Sequence, residues 1–227
     1  MRYWYLFLKR TWYAYKLREH RVNAFFSSAL PAFSAYSDEV EFLSIDIETT
    51  SLDHNEGEIV SIGWVPLRHG SIILSEARHL VVGVRREVGQ SAVFHHISDE
   101  QSSYGARASE MFWQLLQAAN GRVLVFHNAH IDMAYLNKLS RRLIGAPIVA
   151  PIVDTLQWEK TKILKRYHLI PTDSLRLHAC RRRYGLPDYP LHNALSDALA
   201  TLELLQAQIA YLGHRAKLGE ILKKSEF

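Results

Sequence analysis

The 227-residue sequence predicts an α/β protein, in which a mixed β-sheet carries helices on its faces. Three apolar, β-branched segments follow one another through short turns between residues 41 and 82, as is typical of antiparallel pairing. From residue 107 onward, helical periodicity alternates with short apolar runs of the buried, parallel type. Together these patterns indicate a sheet of about five strands whose second strand is antiparallel to the first.

Apolar periodicity and turn residues set the boundaries of the individual elements. Strands are expected at about 41–48, 58–65, 72–82, 122–126 and 147–153. Helices are expected at about 107–119, 131–143, 173–184 and 194–212, and a further helix follows Asp154-Thr155 and ends near Tyr167. His95 and His96 are predicted to lie in a loop ahead of a helix cap at Ser98. No third ligand stands near this histidine pair, so a metal site there is not favoured.

Composition excludes several classes of protein. The chain has 48% apolar residues, a net charge of +4 and a single cysteine, Cys180, which rules out an internal disulfide. The apolar start is interrupted at Lys9 and Arg10, and no apolar run approaches the roughly 18 residues of a membrane span. We therefore expect a cytoplasmic protein, whose mildly basic charge is compatible with a polyanionic partner.

Three segments are predicted. Residues 1–38 form a basic, aromatic N-terminal extension and linker, residues 39–213 the main domain, and residues 214–227 a short C-terminal tail. The extension could lie along a nucleic acid, on a membrane surface or on a partner. The favoured alternative is a helix that packs on its own domain and leaves its basic side in solvent.

Asp46 and Glu48 interrupt the first predicted strand two residues apart, so their side chains point to the same face. Two adjacent carboxylates repel each other unless a proton or a cation lies between them. Mg²⁺ suits such a pair because it takes oxygen ligands and often uses only one or two carboxylates. The alternative is a strand edge whose acids face water.

Further candidates follow later in the chain. Asp132 is expected near the start of a helix just past a strand end, where the sites of α/β sheets gather. Asp197 is expected in the first turn of the last helix, and His192 in the loop before it, with Asn193 as the helix cap. Within one helix, five residues would separate His192 and Asp197 by about 140°, so a loop position favours their convergence.

Three blocks in this order resemble the exonuclease motifs of the DEDDh family, which includes the epsilon-type proofreading subunits of DNA polymerase III, oligoribonuclease and related RNases. They are Asp46-Ile47-Glu48-Thr49-Thr50-Ser51-Leu52, His127-Asn128-Ala129-His130-Ile131-Asp132 and His192 to Asp197, and the resemblance covers about residues 41–212. The chain departs from the family pattern at Ser51, where Gly is common, and at Ile131, where Phe is common. Both positions concern substrate shape more than metal binding.

The resemblance implies a ribonuclease H-like fold and a 3′–5′ exonuclease that releases nucleoside 5′-monophosphates with two Mg²⁺ ions, for which Mn²⁺ would substitute. It assigns the bridging metal ligand to Asp46, and His192 would be the general base. Glu48 and Asp197 would hold the metal on the nucleophile side, and Asp132 the other metal. Two such metals stabilise both the attacking and the leaving oxygen.

The resemblance also places Thr49, Leu52 and Asn128 around the terminal nucleotide. DNA with single-stranded or frayed 3′ ends is the favoured substrate, and a 3′–5′ exoribonuclease acting on short oligonucleotides is the nearest alternative. A non-catalytic module that holds 3′ ends and a ribonuclease H-type endonuclease remain open. A stand-alone or repair enzyme is favoured, association with a polymerase is left open, and a homodimer is compatible with the family.

Overall fold

The structure is a computed structural model and describes residues 2–82, 108–190, 192–213 and 215–225. The predicted loop with His95 and His96 lies outside these residues. The described part is a mixed α/β fold, as the sequence predicts, and its one sheet has six strands where about five were expected.

The sheet consists of β1 (Phe42–Thr49), β2 (Ile59–Arg68), β3 (Ser71–Ile72), β4 (Arg78–Val81), β5 (Val123–Phe126) and β6 (Ile152–Asp154). The strand order is β3-β2-β1-β5-β6, and β4 also pairs with β2. β2 runs antiparallel to β1, whereas β5 and β6 continue the sheet in parallel. The carboxyl ends of β1, β5 and β6 therefore meet at one edge.

Helices cover both faces of this sheet. They are α1 (Arg2–Lys16), α2 (Asn23–Ser27), α3 (Ala108–Ala118), α4 (Ala129–Ile144), α5 (Thr155–Tyr167), α6 (Leu177–Arg182), α7 (Ala194–Ala210) and α8 (Leu218–Lys224). Side chains alternate along β1: Leu43, Ile45 and Ile47 join a core formed with α3 and α4. The opposite face, which begins with Phe42, packs against α5, α7 and α8.

Some predicted boundaries differ from the structure. The third predicted strand, 72–82, is divided into β3 and β4 because Leu74–Glu76 forms a 3₁₀ turn between them. The predicted helix at 173–184 is reduced to α6. The predicted strand at 147–153 begins only at Ile152, after a buried extended segment.

Both chain ends pack onto the domain. The first predicted segment holds α1, whose Arg10 guanidinium is buried and donates to the carbonyls of Val149 and Phe25 and to Ser28. Phe25, within the segment predicted as extension and linker, is a core residue. Near the other end, α8 buries its apolar residues Leu218, Ile221 and Leu222 against the second core, where a short tail was predicted. The division into three domain segments stays a prediction.

Candidate active site

Asp46 and Glu48 lie on the face of β1 that α7 covers, since the even-numbered residues of β1 alternate with the core residues Ile45 and Ile47. The start of α7 comes extremely close to this face. Gly63, the β2 residue opposite Asp46, has no Cβ, and an added Cβ would stand 2.3 Å from the carbonyl carbon of Ala194. Glycine at this position therefore lets the first turn of α7 lie directly on the sheet beside Asp46.

Asn193 begins α7 as its N-cap, and its side chain accepts hydrogen bonds from the backbone N–H groups of Leu195 and Ser196. This cap places Asp197 in the first turn, on the strand side. The backbone N–H of His192 donates to Oδ2 of Asp197 at 3.2 Å. The loop and the acid are thus connected, as the sequence predicted.

The sheet and α7 bring three of the predicted acids together. Asp46, Glu48 and Asp197 each offer a carboxylate oxygen, and these atoms all lie within 4.8 Å of one another. Three converging carboxylate oxygens are the donor set that hard divalent cations such as Mg²⁺ and Mn²⁺ prefer. The residues therefore fit a divalent cation.

Asp132, the fourth predicted acid, approaches β1 from the side of its parallel neighbour β5. The ladder between β1 and β5 ends at Ser44, so β1 extends beyond its parallel neighbour and leaves the N–H of Ile47 without a strand partner on that side. Oδ1 of Asp132 accepts this N–H at 3.2 Å, at a buried position. Asp132 is thereby fixed at the backbone between Asp46 and Glu48.

The turn from β5 into α4 sets the position of Asp132. Asn128 has φ = 79°, in the left-handed region that asparagine tolerates better than most residues. The buried Asp154 carboxylate accepts the N–H groups of Asn128 and Ala129 at 3.1 and 2.9 Å, and also caps α5. One side chain therefore holds the ends of two neighbouring strands in register.

Burial and mutual repulsion disfavour the charged forms of these acids. Desolvation, followed by repulsion from Asp132, Asp197 and Glu48, raises the pKa of Asp46 well above its usual value. Desolvation raises the pKa of Asp132 to about 8, although the N–H of Ile47 opposes the shift. It also raises the pKa of Asp197 to about 6, with Glu48 as the next cause. A bound cation would relieve this excess of negative charge.

His192 lies at the rim of the acid cluster. It is exposed and adopts φ = 65° in the loop that follows Pro190. Its backbone N–H is held by the Asp197 carboxylate. His192 lies in the loop before α7, as predicted from the sequence, and its role as a base stays a prediction.

The three residues expected around a terminal nucleotide lie in different settings. Thr49 donates from Oγ1 to the carbonyl of Ser51 at 2.8 Å, and Tyr135 donates its hydroxyl to the same carbonyl. These bonds fix the segment that presents Leu52, whose side chain is 84% exposed just past the acid cluster. Asn128 contributes its backbone to the turn at Asp154.

Sequence reasoning missed Gly63 and Asp154, which position the acids. A glycine inside an otherwise apolar strand is a signal of close backbone approach and identifies Gly63. Asp154 at the end of a predicted strand, before a helix, is a recognisable N-cap. His79 was also missed: it pairs with Gly63 across the sheet and is half-buried, and burial lowers its pKa, opposed by Glu48.

Comparison with known proteins agrees with this geometry. A family model described as exonuclease, RNase T, matches residues 43–205. The chain is 28% identical over 183 residues to the DNA polymerase III subunit epsilon of Treponema pallidum, covering 81% of each. It is 26% identical over 196 residues to the PolC-type DNA polymerase III of Thermotoga petrophila, covering 86% of this chain but only 13% of that relative.

Solved structures give the same fold. An E. coli exonuclease I–single-stranded DNA complex matches with a TM-score of 0.66 at 14% identity, covering 75% of this chain and 41% of that one. Exonuclease X in complex with 5′-overhanging duplex DNA matches with a TM-score of 0.58 at 20% identity, covering 80% and 99%. The predicted ribonuclease H-like fold is confirmed.

The exonuclease family model places the chain among the nuclease hydrolases, and the chain carries converging carboxylates on a ribonuclease H-like sheet. Within that class, the chain belongs to the RNase T exonuclease family, whose model covers most of its length.

Proposed function

We propose that the chain is a metal-dependent 3′–5′ exonuclease that removes nucleotides from single-stranded or frayed 3′ ends of DNA and releases nucleoside 5′-monophosphates. The observation that carries this proposal is the convergence of Asp46, Glu48 and Asp197 inside a domain of the exonuclease family. DNA is favoured because two relatives are named as DNA polymerase III proteins and two similar structures hold DNA.

Asp46, Glu48 and Asp197 would hold the cation on the side of the attacking water, with Asp46 shared between two cations. Asp132, which is fixed at the backbone between Asp46 and Glu48, would hold the second one. Divalent cations at such a site stabilise the attacking and leaving oxygens of the phosphodiester. The raised pKa values of Asp46, Asp132 and Asp197 mean that protons compete with the cation for these oxygens.

His192 acts as the general base. A neutral imidazole accepts the proton of the attacking water, and histidine is the commonest side chain for this task in general base catalysis. Its exposed position at the rim allows it to reach a water that lies beside the acid cluster. The bond from its backbone N–H to Asp197 fixes the loop relative to the acids.

The terminal nucleotide would lie against the segment after β1. Thr49 and the exposed Leu52 follow the acids of β1, and Asn128 lies just past the carboxyl end of the neighbouring parallel strand β5. An exposed leucine beside a catalytic cluster can pack on the apolar face of a base. We assign these three residues to substrate binding.

The test uses a 5′-labelled single-stranded DNA and an RNA of the same sequence, each incubated with Mg²⁺ or EDTA and resolved on a gel. A Mg²⁺-dependent ladder that shortens from the 3′ end supports the proposal, and faster cleavage of RNA would overturn the DNA preference. Cleavage of a circular substrate would indicate an endonuclease. Binding without any cleavage would indicate a module that only holds 3′ ends.

Asp46→Asn is the matched variant for this assay and should abolish cleavage at any pH, because a neutral amide cannot bridge two cations. Asp53→Asn is its control, since Asp53 is an exposed acid of the turn that follows β1. This control variant should cleave normally. Full rescue of Asp46→Asn by excess metal would contradict the bridging role. Association with a polymerase, a homodimer and a cytoplasmic location stay predictions.

A further inference from the structure

Helix α1 has two apolar faces, and the domain covers only one of them. Leu6, Tyr13, Ala14 and Leu17 pack against the first core, and Arg10 is buried on the same side. The opposite face carries large apolar residues that repeat every three or four positions, so they form one stripe. They are Trp4, Leu8, Trp12 and Tyr15, with 77%, 67%, 53% and 70% of their surface exposed.

This outward stripe, Trp4–Leu8–Trp12–Tyr15, is about 16 Å long at 1.5 Å per residue and is edged by cations. Helix α1 itself carries no acidic residue, and the first acid of the sequence is Glu19, whose Oε1 lies 3.7 Å from Nε of Arg18. Three of the cations stand over aromatic rings of this helix. The pairs and their distances to the ring centroid are Lys9 over Tyr5 at 5.7 Å, Lys16 over Trp12 at 4.9 Å and Arg18 over Tyr15 at 5.4 Å.

The position of α1 separates it from the catalytic chemistry. Arg10 binds the carbonyl of Val149, just before β6 begins, and the carbonyl of Ala29 lies beside Gly121, just before β5 begins. The N-terminal helices therefore lie at the amino end of the parallel strands. The acid cluster lies at the carboxyl end, so a partner on α1 would leave the active site open.

We propose that the outward stripe of α1 docks on an anionic lipid bilayer surface. Tryptophan, tyrosine and leucine on one face, with lysine and arginine at its edges, are the pattern of a helix that lies in the membrane interface. The rings would enter the interface and the cations would meet lipid phosphates. No described helix is long and apolar enough to cross a membrane.

Two other occupants fit the stripe less well. A second copy of the same stripe would bring Lys9 and Lys16 of both helices together, and neither helix carries an acidic residue of its own. A single-stranded nucleic acid needs free ring faces for stacking, yet a cation of this chain already covers one face of Tyr5, Trp12 and Tyr15. Leu8, in the middle of the stripe, offers no stacking surface.

The test is co-sedimentation of the full chain with vesicles of phosphatidylcholine alone or with about one third phosphatidylserine, at low and at high salt. Binding to the anionic vesicles that weakens with salt is expected. Leu8→Glu/Trp12→Glu should lower the lipid partition coefficient at least tenfold, because two carboxylates would enter the interface. Lys9→Gln/Lys16→Gln should lower it roughly fivefold per lysine.

Leu74→Glu/Leu169→Glu is the control, since it adds the same charge at two exposed leucines outside α1 and should bind vesicles normally. Exonuclease activity and the far-ultraviolet circular dichroism spectrum should be unchanged in all three variants, which confirms that they fold. No binding to anionic vesicles, or equal binding by Leu8→Glu/Trp12→Glu, overturns the proposal. Dimers that form without lipid and that only Leu8→Glu/Trp12→Glu abolishes would overturn it in favour of a second copy. Oligonucleotide binding that only Leu8→Glu/Trp12→Glu abolishes would overturn it in favour of a nucleic acid.

Discussion

Replacing Gly63 by alanine tests whether close contact between α7 and the sheet assembles the acid cluster. The added Cβ would stand 2.3 Å from backbone atoms of Ala194 and Leu195, whereas ordinary contact begins near 3.4 Å. Backbone cannot rotate away as a side chain can, so the start of α7 must shift by about 1 Å. Such a displacement of Asp197 from Asp46 should lower kcat/KM by about 100-fold. Overpacking should also lower the free energy of unfolding by about 1–3 kcal/mol.

The assay combines kcat/KM on a single-stranded oligonucleotide with urea unfolding of the same preparation. Ile221→Val is the matched control: it removes a methylene from α8 in the core and should cost about 0.5–1.5 kcal/mol without moving Asp197. Its kcat/KM should stay within twofold of the parent. If folded Gly63→Ala also kept its kcat/KM within twofold, the close approach would have no part in assembling the site.

Three further predictions concern the base, the acids and the turn. His192→Ala should lower kcat by roughly 10²–10⁴ with cation binding and unfolding free energy unchanged; normal turnover would remove His192 from the mechanism. In EDTA, the free energy of unfolding should fall as the pH rises from about 4 to 8, because the pKa values of Asp132, about 8, and Asp197, about 6, exceed those of the unfolded chain. Mg²⁺ should reverse this fall. Urea titrations at each pH measure the free energy of unfolding, and a profile that does not change with pH in EDTA would contradict the prediction. Asp154→Ala should lower the free energy of unfolding by about 2–4 kcal/mol, since four backbone N–H groups lose their acceptor. Asp154→Asn keeps an oxygen acceptor, so its free energy of unfolding should fall clearly less. If urea titrations show the same fall for both variants, the role of Asp154 as an acceptor is refuted.

The sequence predicts those parts of the fold that depend on local periodicity. β1, β2 and α7 begin and end within a few residues of their predicted limits, because apolar alternation and the Asn193 cap mark them. The fate of the chain ends depends on distant contacts instead. Nothing near Phe25 or Leu218 in the sequence shows that these residues meet a core built from other segments.

The candidate site shows the same division. Spacing alone places Asp46 and Glu48 on one face of a strand, and the three ordered blocks resemble a known constellation. Neither the spacing nor the resemblance shows that Asp132 accepts a hydrogen bond from the N–H of Ile47, because this bond depends on where the ladder between β1 and β5 ends. The burial and the mutual repulsion that raise the pKa values of the acids likewise arise only when three separate elements meet.

The buried guanidinium of Arg10 has a consequence for how the molecule opens. Its described partners are neutral carbonyls and a hydroxyl, and burial lowers its pKa to about 10, so nothing anionic compensates for its desolvation. Partial loosening would leave a dehydrated cation without acceptors, which makes intermediate positions of α1 unfavourable. The first two helices should therefore detach together, as one cooperative unit of hydrogen exchange, while the sheet and its acids stay protected.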